Sequence, residues 1–523
     1  MREIKVKKIV IVGSGSAGWL AAIFMLQRKY ENVTLIESPN VPTIGVGEST
    51  QPLVTNFLQY CGLEQQDWMP YASATYKLGV MFEGWADHKF MVDSESAVFS
   101  LLDTTSLRTW GIDDIVIANK MPSKDFMEWF PPYRMAINNK SPKFGKERFN
   151  YLNGHSVDPP NAVQWDNVYV QQFLTKECTK RGLTHITDDV VSAELDEDGY
   201  VKHLITKDNG NIEGDIFIDC TGFSSILLEK IYGVQWLSIE DMLPNNNAVV
   251  IRKKYTNPQQ ECHPYTNAKT MNAGWRWTIP TYHDISLGYV YSDKYIDKDD
   301  AEKELRESID EWDLPALHVP FKTGIRSTIV AKNVFAAGLA AGFVEPLEAT
   351  SLAFTCIILG DLNRIMYEEG EVWKPECEGF LNRRFEATFT EIVNFIFLHF
   401  YASTRNDTEF WKDASLRKIP DTCREIFDAF KKGPMNQSDF RKIIMKKVPH
   451  FKYLDPSPPM FSSGHWFQLL YSSGWWKDLE YKYSEDTLRY GKYVMEGYTH
   501  KLDDIMKFFP NHYDYLTEWY ESC

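Results

Sequence analysis

The sequence predicts an α/β fold followed by a mostly helical region, and three observations support this prediction. Residues 7–26, KKIVIVGSGSAGWLAAIFML, read as an apolar strand, a glycine loop and the start of a helix. Residues 190–219 alternate apolar and polar side chains in three runs, which the turn sequences DEDG and DNGN separate. Residues 333–367 repeat the order of short strand, glycine-rich loop and helix. Strands that alternate with helices are typical of a parallel sheet.

The first of these units carries a dinucleotide-binding pattern. Gly13, Gly15 and Gly18 have the G-x-G-x-x-G spacing, and Glu37 follows at the end of the next strand, NVTLIES. Glycines at the first two positions let the backbone turn tightly and approach a pyrophosphate, and Gly18 lets the helix pack on the strand. The helix N terminus faces the anion, and the acid accepts a ribose hydroxyl. Ala17 lies in the same loop and is a further candidate contact.

The order of the three units predicts which dinucleotide is bound. A βαβ unit, a three-stranded meander that returns to the sheet at DCTGF, and a late glycine loop are typical of FAD domains. Nicotinamide dehydrogenases usually lack the late loop, in which Gly338 is the candidate FAD contact. We therefore expect an FAD-binding module with inserted substrate-binding segments over residues 1–371, and a mostly helical substrate region over residues 372–523.

Composition argues against several other classes of partner. The chain of 523 residues has 56 basic and 72 acidic side chains, a formal charge of −16, which disfavours nucleic-acid binding. No apolar run reaches the roughly 18 residues of a membrane span. The first apolar run is short and leads into the glycine loop, so we interpret it as a strand and not a signal peptide. Eight scattered cysteines without a Cys-x-x-Cys pair argue against a zinc site or a disulfide framework, and favour the reducing cytoplasm.

Residues 274–280, GWRWTIP, place two tryptophans on one short extended segment. Side chains at positions i and i+2 of a strand share a face, so Trp275 and Trp277 form a wall, which we call the tryptophan wall. Arg276 points to the opposite face, and Pro280 ends the strand pairing. By itself, such a pair is also typical of ordinary sheet core.

Several segments resemble the flavin-dependent halogenases, the group typified by the tryptophan halogenases. GWRWTIP matches their W-x-W-x-I-P signature, and residues 13–18 match their FAD loop. The further matching segments are YKLGVMFEGW (76–85), GVGEST (45–50), GFVEPLEATS (342–351) and HFYASTRNDTEFW (399–411). The resemblance implies an FAD-binding Rossmann-like module of the aromatic hydroxylase/halogenase type. It fades beyond residue 411.

The resemblance also implies a mechanism. In this family reduced FAD, O2 and a halide ion give hypohalous acid, which passes through a tunnel to a separate substrate pocket. The tryptophan wall separates flavin from substrate and excludes water. The matching positions make Lys77 the group that receives the hypohalous acid and Glu348 the carboxylate that stabilises the cationic ring and takes its proton. Glu345, with Pro346 between the two acids, is expected to be structural.

Two further roles follow from the resemblance. The family places its halide where Thr350 and Ser351 open an apolar helix, and Ser351 stands where relatives often have glycine. His399 is a candidate for the substrate pocket or tunnel, although a lone histidine is more often a core residue. The expected substrate is an indole-like aromatic molecule. Some of the C-terminal aromatics offer walls for an indole or a phenol, and most of them are expected to be core. These are Trp466, Phe467, Tyr471, Trp475 and Trp476.

Two other functions stay open at this point. DCTGFSS (219–225) resembles a dinucleotide-contacting segment of FAD-dependent aromatic hydroxylases, which reduce their own flavin with a nicotinamide. A flavoprotein-like scaffold that binds a partner or prenylated cargo is the non-enzymatic alternative. Neither needs a lysine and a glutamate near a tryptophan wall. Since only one FAD module and no reductase module is visible, a separate flavin reductase is expected to supply reduced FAD.

Overall fold

The computed structural model describes most of the chain. The described residues are 3–30, 32–43, 45–93, 121–128, 130–143, 161–433, 435–446, 460–476, 485, 489, 493, 503–504 and 506–523. Parts of the predicted helical C-terminal region, including residues 447–459, lie outside this set.

A six-stranded sheet forms the nucleotide-binding half of the fold. Its strands lie in the order Val330–Ala331, Val334–Ala336, Ile216–Asp219, Lys8–Val12, Asn32–Glu37 and Thr184–Thr187. All neighbours are parallel except the first pair. The βαβ unit, the return of the chain at residue 216 and the late strand before the glycine loop are therefore confirmed. Parallel neighbours need crossover connections, and helix Ser16–Gln27 supplies the first of them.

A seven-stranded sheet carries the tryptophan wall. Its strands lie in the order Ala316–Pro320, Asn247–Lys253, Ile285–Tyr291, Gly274–Pro280, Thr266–Met271, Gly79–Glu83 and Phe90–Asp93. Only the fifth and sixth strands pair in parallel. Residues 274–280 thus form a central strand with neighbours on both sides, and the strand ends at Pro280 as predicted.

Four small sheets complete the strand content of the described chain. The meander is confirmed, and its strands Val190–Leu195, Val201–Thr206 and Asn211–Glu213 pair antiparallel in chain order. The others are Gly47–Ser49 with Ala162–Asp166 and Thr75–Lys77; Trp236–Ser238 with Gly324–Arg326 and Gly342–Phe343; and Ile4–Lys5 with Val372–Trp373.

Helices cover the sheets and form most of the described part of the C-terminal third. The α-helices are Ser16–Gln27, Pro52–Tyr60, Gln65–Trp68, Ser123–Glu128, Pro131–Ile137, Asn167–Lys180, Pro258–Glu261, Lys298–Ile309, Thr350–Glu368, Glu376–Ala402, Glu409–Leu416, Asp421–Phe430, Gln437–Met445, Ser463–Ser472 and His512–Ser522. Short 3-10 turns occur at Gly222–Ser224, Gly338–Ala340 and Pro346–Glu348, and a π-helix at Ile226–Ile231. No helix among the described segments is long and apolar enough to cross a membrane.

One large apolar core runs through both halves of the chain. Phe354 and Phe385, on either side of the predicted boundary at residue 371, are in contact with ring centroids 4.7 Å apart. The strand Ile4–Lys5 also pairs with Val372–Trp373. The two predicted parts thus share an interface, and their division at residue 371 stays a prediction.

Candidate active site

The first glycine loop has the shape that a dinucleotide needs. Gly13 has φ +103°, and a Cβ there would lie 2.3 Å from the Cys220 carbonyl oxygen. A Cβ on Gly18 would lie 1.9 Å from the Gly13 carbonyl oxygen. The corresponding position on Gly15 has no atom within 4 Å, so the loop is closed against the protein and open at Gly15. Helix Ser16–Gln27 starts there with no side-chain cap and no acid in its first turn, which suits an anion.

The two glycine loops meet. A Cβ on Gly338, which has φ +64°, would lie 2.6 Å from the Cβ of Ala17. Glu37 lies at the end of its strand, where its Oε2 is 2.7 Å from Nε2 of His185, a neighbour that the sequence did not indicate. Backbone cradles and a strand-end carboxylate at one edge of a parallel sheet fit FAD. The individual contacts to FAD stay predictions.

The tryptophan wall lies where the sequence places it. The rings of Trp275 and Trp277 are both buried, with centroids 6.3 Å apart. Arg276 extends to the other face, where its Nη1 donates to the Ser308 carbonyl oxygen at 2.9 Å. The Trp275 indole N–H donates to Oε2 of Glu345 at 2.7 Å. The wall is therefore held by a carboxylate from the segment that also carries Glu348.

Glu345 is buried beneath the wall. Its Oε2 also accepts from Nδ2 of Asn245 at 2.8 Å, and its Oε1 has no hydrogen-bond partner in the described chain. Burial raises the pKa of Glu345 to about 7, although the bonds from Trp275 and Asn245 and the charge of Arg417 act in the opposite direction. The sequence predicted a structural role for Glu345, and in the structure its carboxylate binds the indole of Trp275.

Lys77 ends the strand Thr75–Lys77 with its side chain only 1% exposed. Its ammonium Nζ donates to the Thr50 carbonyl oxygen at 2.9 Å. Burial lowers the pKa of Lys77 to about 8, and the negative charge of Glu348 opposes this shift. A buried amine that titrates near neutral pH is uncommon outside functional sites.

Glu348 is paired with His399. The side chains of His399 and Glu348 are 0% and 2% exposed, and Nε2 of the histidine lies 2.9 Å from Oε1 of the acid. His399 Nδ1 lies 2.8 Å from the Phe395 carbonyl oxygen, which only accepts, so Nδ1 carries a hydrogen. The contact between Nε2 and Oε1 therefore holds one proton. A place for His399 in the substrate pocket stays a prediction; the structure places it against Glu348.

The segment 45–51 joins the lysine to the acid, a role that the sequence did not indicate. The carbonyl oxygen of Thr50 accepts from Lys77, and the side-chain amide of Gln51 donates to the backbone carbonyl oxygen of Glu348. A Cβ on Gly47 would lie 2.7 Å from that of Ser286, whose hydroxyl accepts from the Trp277 indole N–H at 3.3 Å. The segment thus packs between the tryptophan wall and the Lys77–Glu348 pair.

A helix begins directly after Glu348. Ala349 adopts a left-handed conformation, with φ 56° and ψ 42°, and helix Thr350–Glu368 follows. No side chain of the described residues caps this N terminus, and its first turn contains no acid. Thr350 is buried and Ser351 is half-buried. Backbone N–H groups at such an end attract an anion, and the halide site at Thr350 and Ser351 stays a prediction.

The C-terminal aromatics divide into core and rim. Trp466, Phe467 and Tyr471 are buried in helix Ser463–Ser472, whereas Trp475 and Trp476 are half-buried. The ring of Phe395 links this group to the centre, since its centroid lies 5.7 Å from that of Trp466 and 4.8 Å from that of His399.

Comparison with known proteins shows the family of the chain. The family model described as tryptophan halogenase matches residues 8–479. The tryptophan 6-halogenase of Streptomyces toxytricini is 32% identical over 453 residues, which cover 81% of this chain and 84% of that enzyme.

Solved structures of flavin-dependent halogenases also resemble this chain. A tryptophan 6-halogenase structure from Streptomyces toxytricini superposes with a TM-score of 0.84 at 28% identity and covers 98% of this chain and 99% of that one. A tryptophan C-6 flavin-dependent halogenase from taromycin biosynthesis superposes with a TM-score of 0.82 at 28% identity, covering 98% and 99%. These matches favour a halogenase over the aromatic hydroxylase that the sequence left open. The chain belongs to the tryptophan halogenase family, and it is a flavin-dependent halogenase.

Proposed function

We propose that this halogenase acts on an indole-like aromatic ring, with Lys77 and Glu348 as its catalytic residues. The observation that carries the proposal is the buried Lys77 amine, whose pKa of about 8 reflects burial opposed by the charge of Glu348. A structural lysine gains nothing from such a position, because burying an amine disfavours its charged form.

FAD is assigned to the two glycine loops and to Glu37. Gly13, Gly15 and Gly18 leave the backbone open to a pyrophosphate at the N terminus of the first helix, and Gly338 and Ala17 bring the second loop against it. When bound in its reduced form, FAD supplies hypohalous acid from O2 and a halide ion. The halide is assigned to the backbone N–H groups at Thr350 and Ser351, directly after Glu348.

Lys77 holds and polarises the hypohalous acid. Its ammonium donates a hydrogen bond to the oxygen, which makes the halogen more electrophilic. The aromatic carbon then takes the halogen, the oxygen leaves as water with the proton from Lys77, and the ring becomes cationic. The tryptophan wall keeps bulk water away from this step, since both of its rings are buried.

Glu348 stabilises the cationic ring and takes its proton. Its Oε1 faces Nε2 of His399, so the two side chains share one proton in a site without water-exposed atoms. This arrangement lets the carboxylate accept the ring proton while the imidazole adjusts its hydrogen bond, as general base catalysis requires.

An indole is the ring class we assign to the pocket. The relatives named above are tryptophan halogenases, and the half-buried indoles of Trp475 and Trp476 offer flat apolar surfaces for such a ring. We also assign a separate flavin reductase as partner and the cytoplasm as location, consistent with the dispersed cysteines.

The test is mass spectrometry of an indole panel incubated with the protein, FAD, a flavin reductase, O2 and chloride or bromide. We expect halogenated product from the parent and none from the folded Lys77→Ala variant, which should still bind FAD. Hydroxylated product, or rapid NAD(P)H oxidation by the protein without the reductase, would favour the hydroxylase instead. Near-parental halogenation by Lys77→Ala would remove the lysine from the mechanism.

A further inference from the structure

The strand that carries Lys77 is an edge strand whose outer side is bound by a distant part of the chain. Thr75–Lys77 pairs only with Ala162–Asp166 within its three-stranded sheet. An edge strand presents unpaired N–H and C=O groups along its free side. Here these groups meet the C-terminal helix His512–Ser522.

Two side chains of this helix bind successive groups of the free edge. The Tyr520 hydroxyl donates to the Ala74 carbonyl oxygen at 2.5 Å, and the Tyr76 backbone N–H donates to Nε2 of His512 at 3.2 Å. Residues 74 and 76 present their backbone groups to the same edge, because the pattern of a strand repeats every two residues. The helix therefore replaces the missing neighbour strand at the residues that precede Lys77.

His512 is fixed in the tautomer that this contact needs. Its Nδ1 lies 3.0 Å from the Cys262 carbonyl oxygen, so Nδ1 donates and Nε2 is left to accept from Tyr76. The side chain is fully buried, and burial lowers the pKa of His512 to about 4. The imidazole is therefore neutral, and its acceptor is present at neutral pH.

The side chain of Tyr76 strengthens the same connection. Its ring stacks on Trp519 with centroids 6.0 Å apart and an interplanar angle of 26°, and it lies 6.3 Å from the ring of Tyr515. Side chains of neighbouring strand residues point to opposite faces, so Tyr76 faces the helix while Lys77 faces Thr50 and Glu348. The helix thus contacts both the backbone and the side chain of the residue that precedes Lys77.

We infer that His512 and Tyr520 are positioning residues for Lys77, acting through the backbone of residues 74–76. The inference rests on the proposed role of Lys77. The two parts of the contact are far apart in the chain, since Tyr76 and His512 differ by 436 positions. The helix also lies beyond residue 479, where the family match ends. If the strand shifts, the Lys77 amine leaves the path of the hypohalous acid, and the oxidant escapes into solution instead of reaching the ring.

A pair of substitutions separates the two hydrogen bonds of His512. In His512→Gln the amide oxygen reaches the position of Nε2 and can accept from Tyr76. In His512→Asn the shorter amide can only replace Nδ1 and donate to the Cys262 carbonyl. Tyr520→Phe removes one hydroxyl from the strand edge. Tyr282→Phe is its control, because the Tyr282 hydroxyl donates to Thr517 of the same helix and not to the strand.

The readout is the amount of free hypohalous acid, trapped with monochlorodimedone, relative to halogenated aromatic product at equal consumption of reduced FAD. We expect His512→Asn to raise this ratio about tenfold and Tyr520→Phe to raise it severalfold, because a misplacement of about 1 Å can cost up to 100-fold in rate. His512→Gln and Tyr282→Phe should stay near the parental ratio. A merely structural role would lower the consumption of reduced FAD and the product together, without raising the ratio.

Each result decides one of the two proposals. Equal ratios for His512→Asn and His512→Gln, or for Tyr520→Phe and Tyr282→Phe, overturn the positioning role. If His512→Asn fails to fold, the tyrosine pair decides alone. If Lys77→Ala retains halogenation, the proposed function fails and the positioning role fails with it. If Lys77→Ala is inactive while the helix variants keep the parental ratio, only the positioning role fails.

Discussion

The nucleotide loop and the reaction centre of this protein are built in different ways. The loop residues Gly13, Gly15 and Gly18 lie within six positions of the chain and act through backbone shape. The reaction centre instead brings Lys77 to Thr50 and Glu348 to His399, so that each of the two proposed catalytic side chains is buried and has a partner from another segment. The loop therefore depends on local stereochemistry, and the centre depends on long-range packing.

The two regions should respond to substitution in different ways. Adding a methyl group to a closed backbone turn forces atoms apart and damages the fold. Removing a buried charge relieves a desolvation penalty and leaves the fold more stable, while the chemistry is lost. At the closed glycines of the loop, stability and activity should thus fall together, whereas at the centre stability should rise as activity falls.

The largest effect is expected for Gly18→Ala. Its new Cβ would lie 1.9 Å from the Gly13 carbonyl oxygen, a backbone atom that cannot turn away. We expect the free energy of unfolding, measured in urea, to fall by about 3 kcal/mol or more.

Gly15→Ala is the matched control, because its backbone (φ −68°, ψ −179°) suits alanine and no atom lies within 4 Å. It should keep parental stability and bind FAD more weakly. A fully stable Gly18→Ala variant would contradict the close packing of the loop.

At the centre, Lys77→Met should separate activity from stability. We expect halogenation to fall about 100-fold or more, as when one transition-state stabiliser is removed. The variant should nevertheless be more stable near pH 7, by about 2 kcal/mol. Relief of the shift in pKa from 10.5 to about 8 contributes roughly 3 kcal/mol, and the lost bond to Thr50 offsets about 1 kcal/mol.

The pH dependence of that gain has a definite sign. The folded-state pKa of Lys77 lies below the unfolded value, so between about pH 8 and 10.5 the unfolded chain binds more protons. The free energy of unfolding of the parent rises over this window, and the advantage of Lys77→Met shrinks. An inactive variant that is also less stable at pH 7 would make Lys77 a structural residue.

Sequence patterns predicted the nucleotide half well because its rules are local. The spacing of Gly13, Gly15 and Gly18 already determines a turn, a close approach and a helix start. The meander was visible for the same reason, since turn residues between alternating runs predict hairpins without reference to the rest of the chain.

The partners at the centre could not be predicted in this way. The resemblance named Lys77 and Glu348, but no spacing connects Tyr76 to His512 or Glu348 to His399. Room for the wall is made by a glycine on the neighbouring strand, directly opposite Trp277. A Cβ on Gly288 would lie 2.0 Å from the Trp277 ring, and this glycine reads as an ordinary strand residue in ISLGYVY. Such residues are determined by packing between segments, and packing between segments cannot be read from a single sequence.

A smaller effect is expected for Glu345→Gln, which tests the support of the tryptophan wall. Glutamine keeps an oxygen for the indole N–H of Trp275 and for Asn245, but it cannot ionise. The pKa of Glu345 is raised from 4.5 to about 7, so the folded parent binds more protons in this window and its stability falls as pH rises. From pH 5 to pH 7 we expect the parent to lose about 2 kcal/mol more than the variant.

The measurement is urea unfolding of both proteins at the two pH values. The difference between them isolates Glu345, because Glu48, whose pKa is also raised to about 7, is present in both. Parallel pH dependence in parent and variant would mean that Glu345 is ionised throughout.

The protonation state in which Lys77 works determines how halogenation depends on pH. With a pKa of about 8, most of the folded protein carries the ammonium at pH 7 and the free amine above pH 9. In the proposed mechanism the ammonium polarises the hypohalous acid. The rate of halogenation under single turnover should therefore fall as pH rises through about 8, approaching tenfold per pH unit, or about 1.4 kcal/mol.

In the experiment, reduced FAD is supplied in one pulse, so that the reductase does not set the rate. The fall should persist in Glu345→Gln, whose own titration near pH 7 has been removed. A rate that instead rises through pH 8 would assign the work to the free amine, which can bond to the halogen directly. The reaction centre would then act through a covalent haloamine rather than through a hydrogen bond.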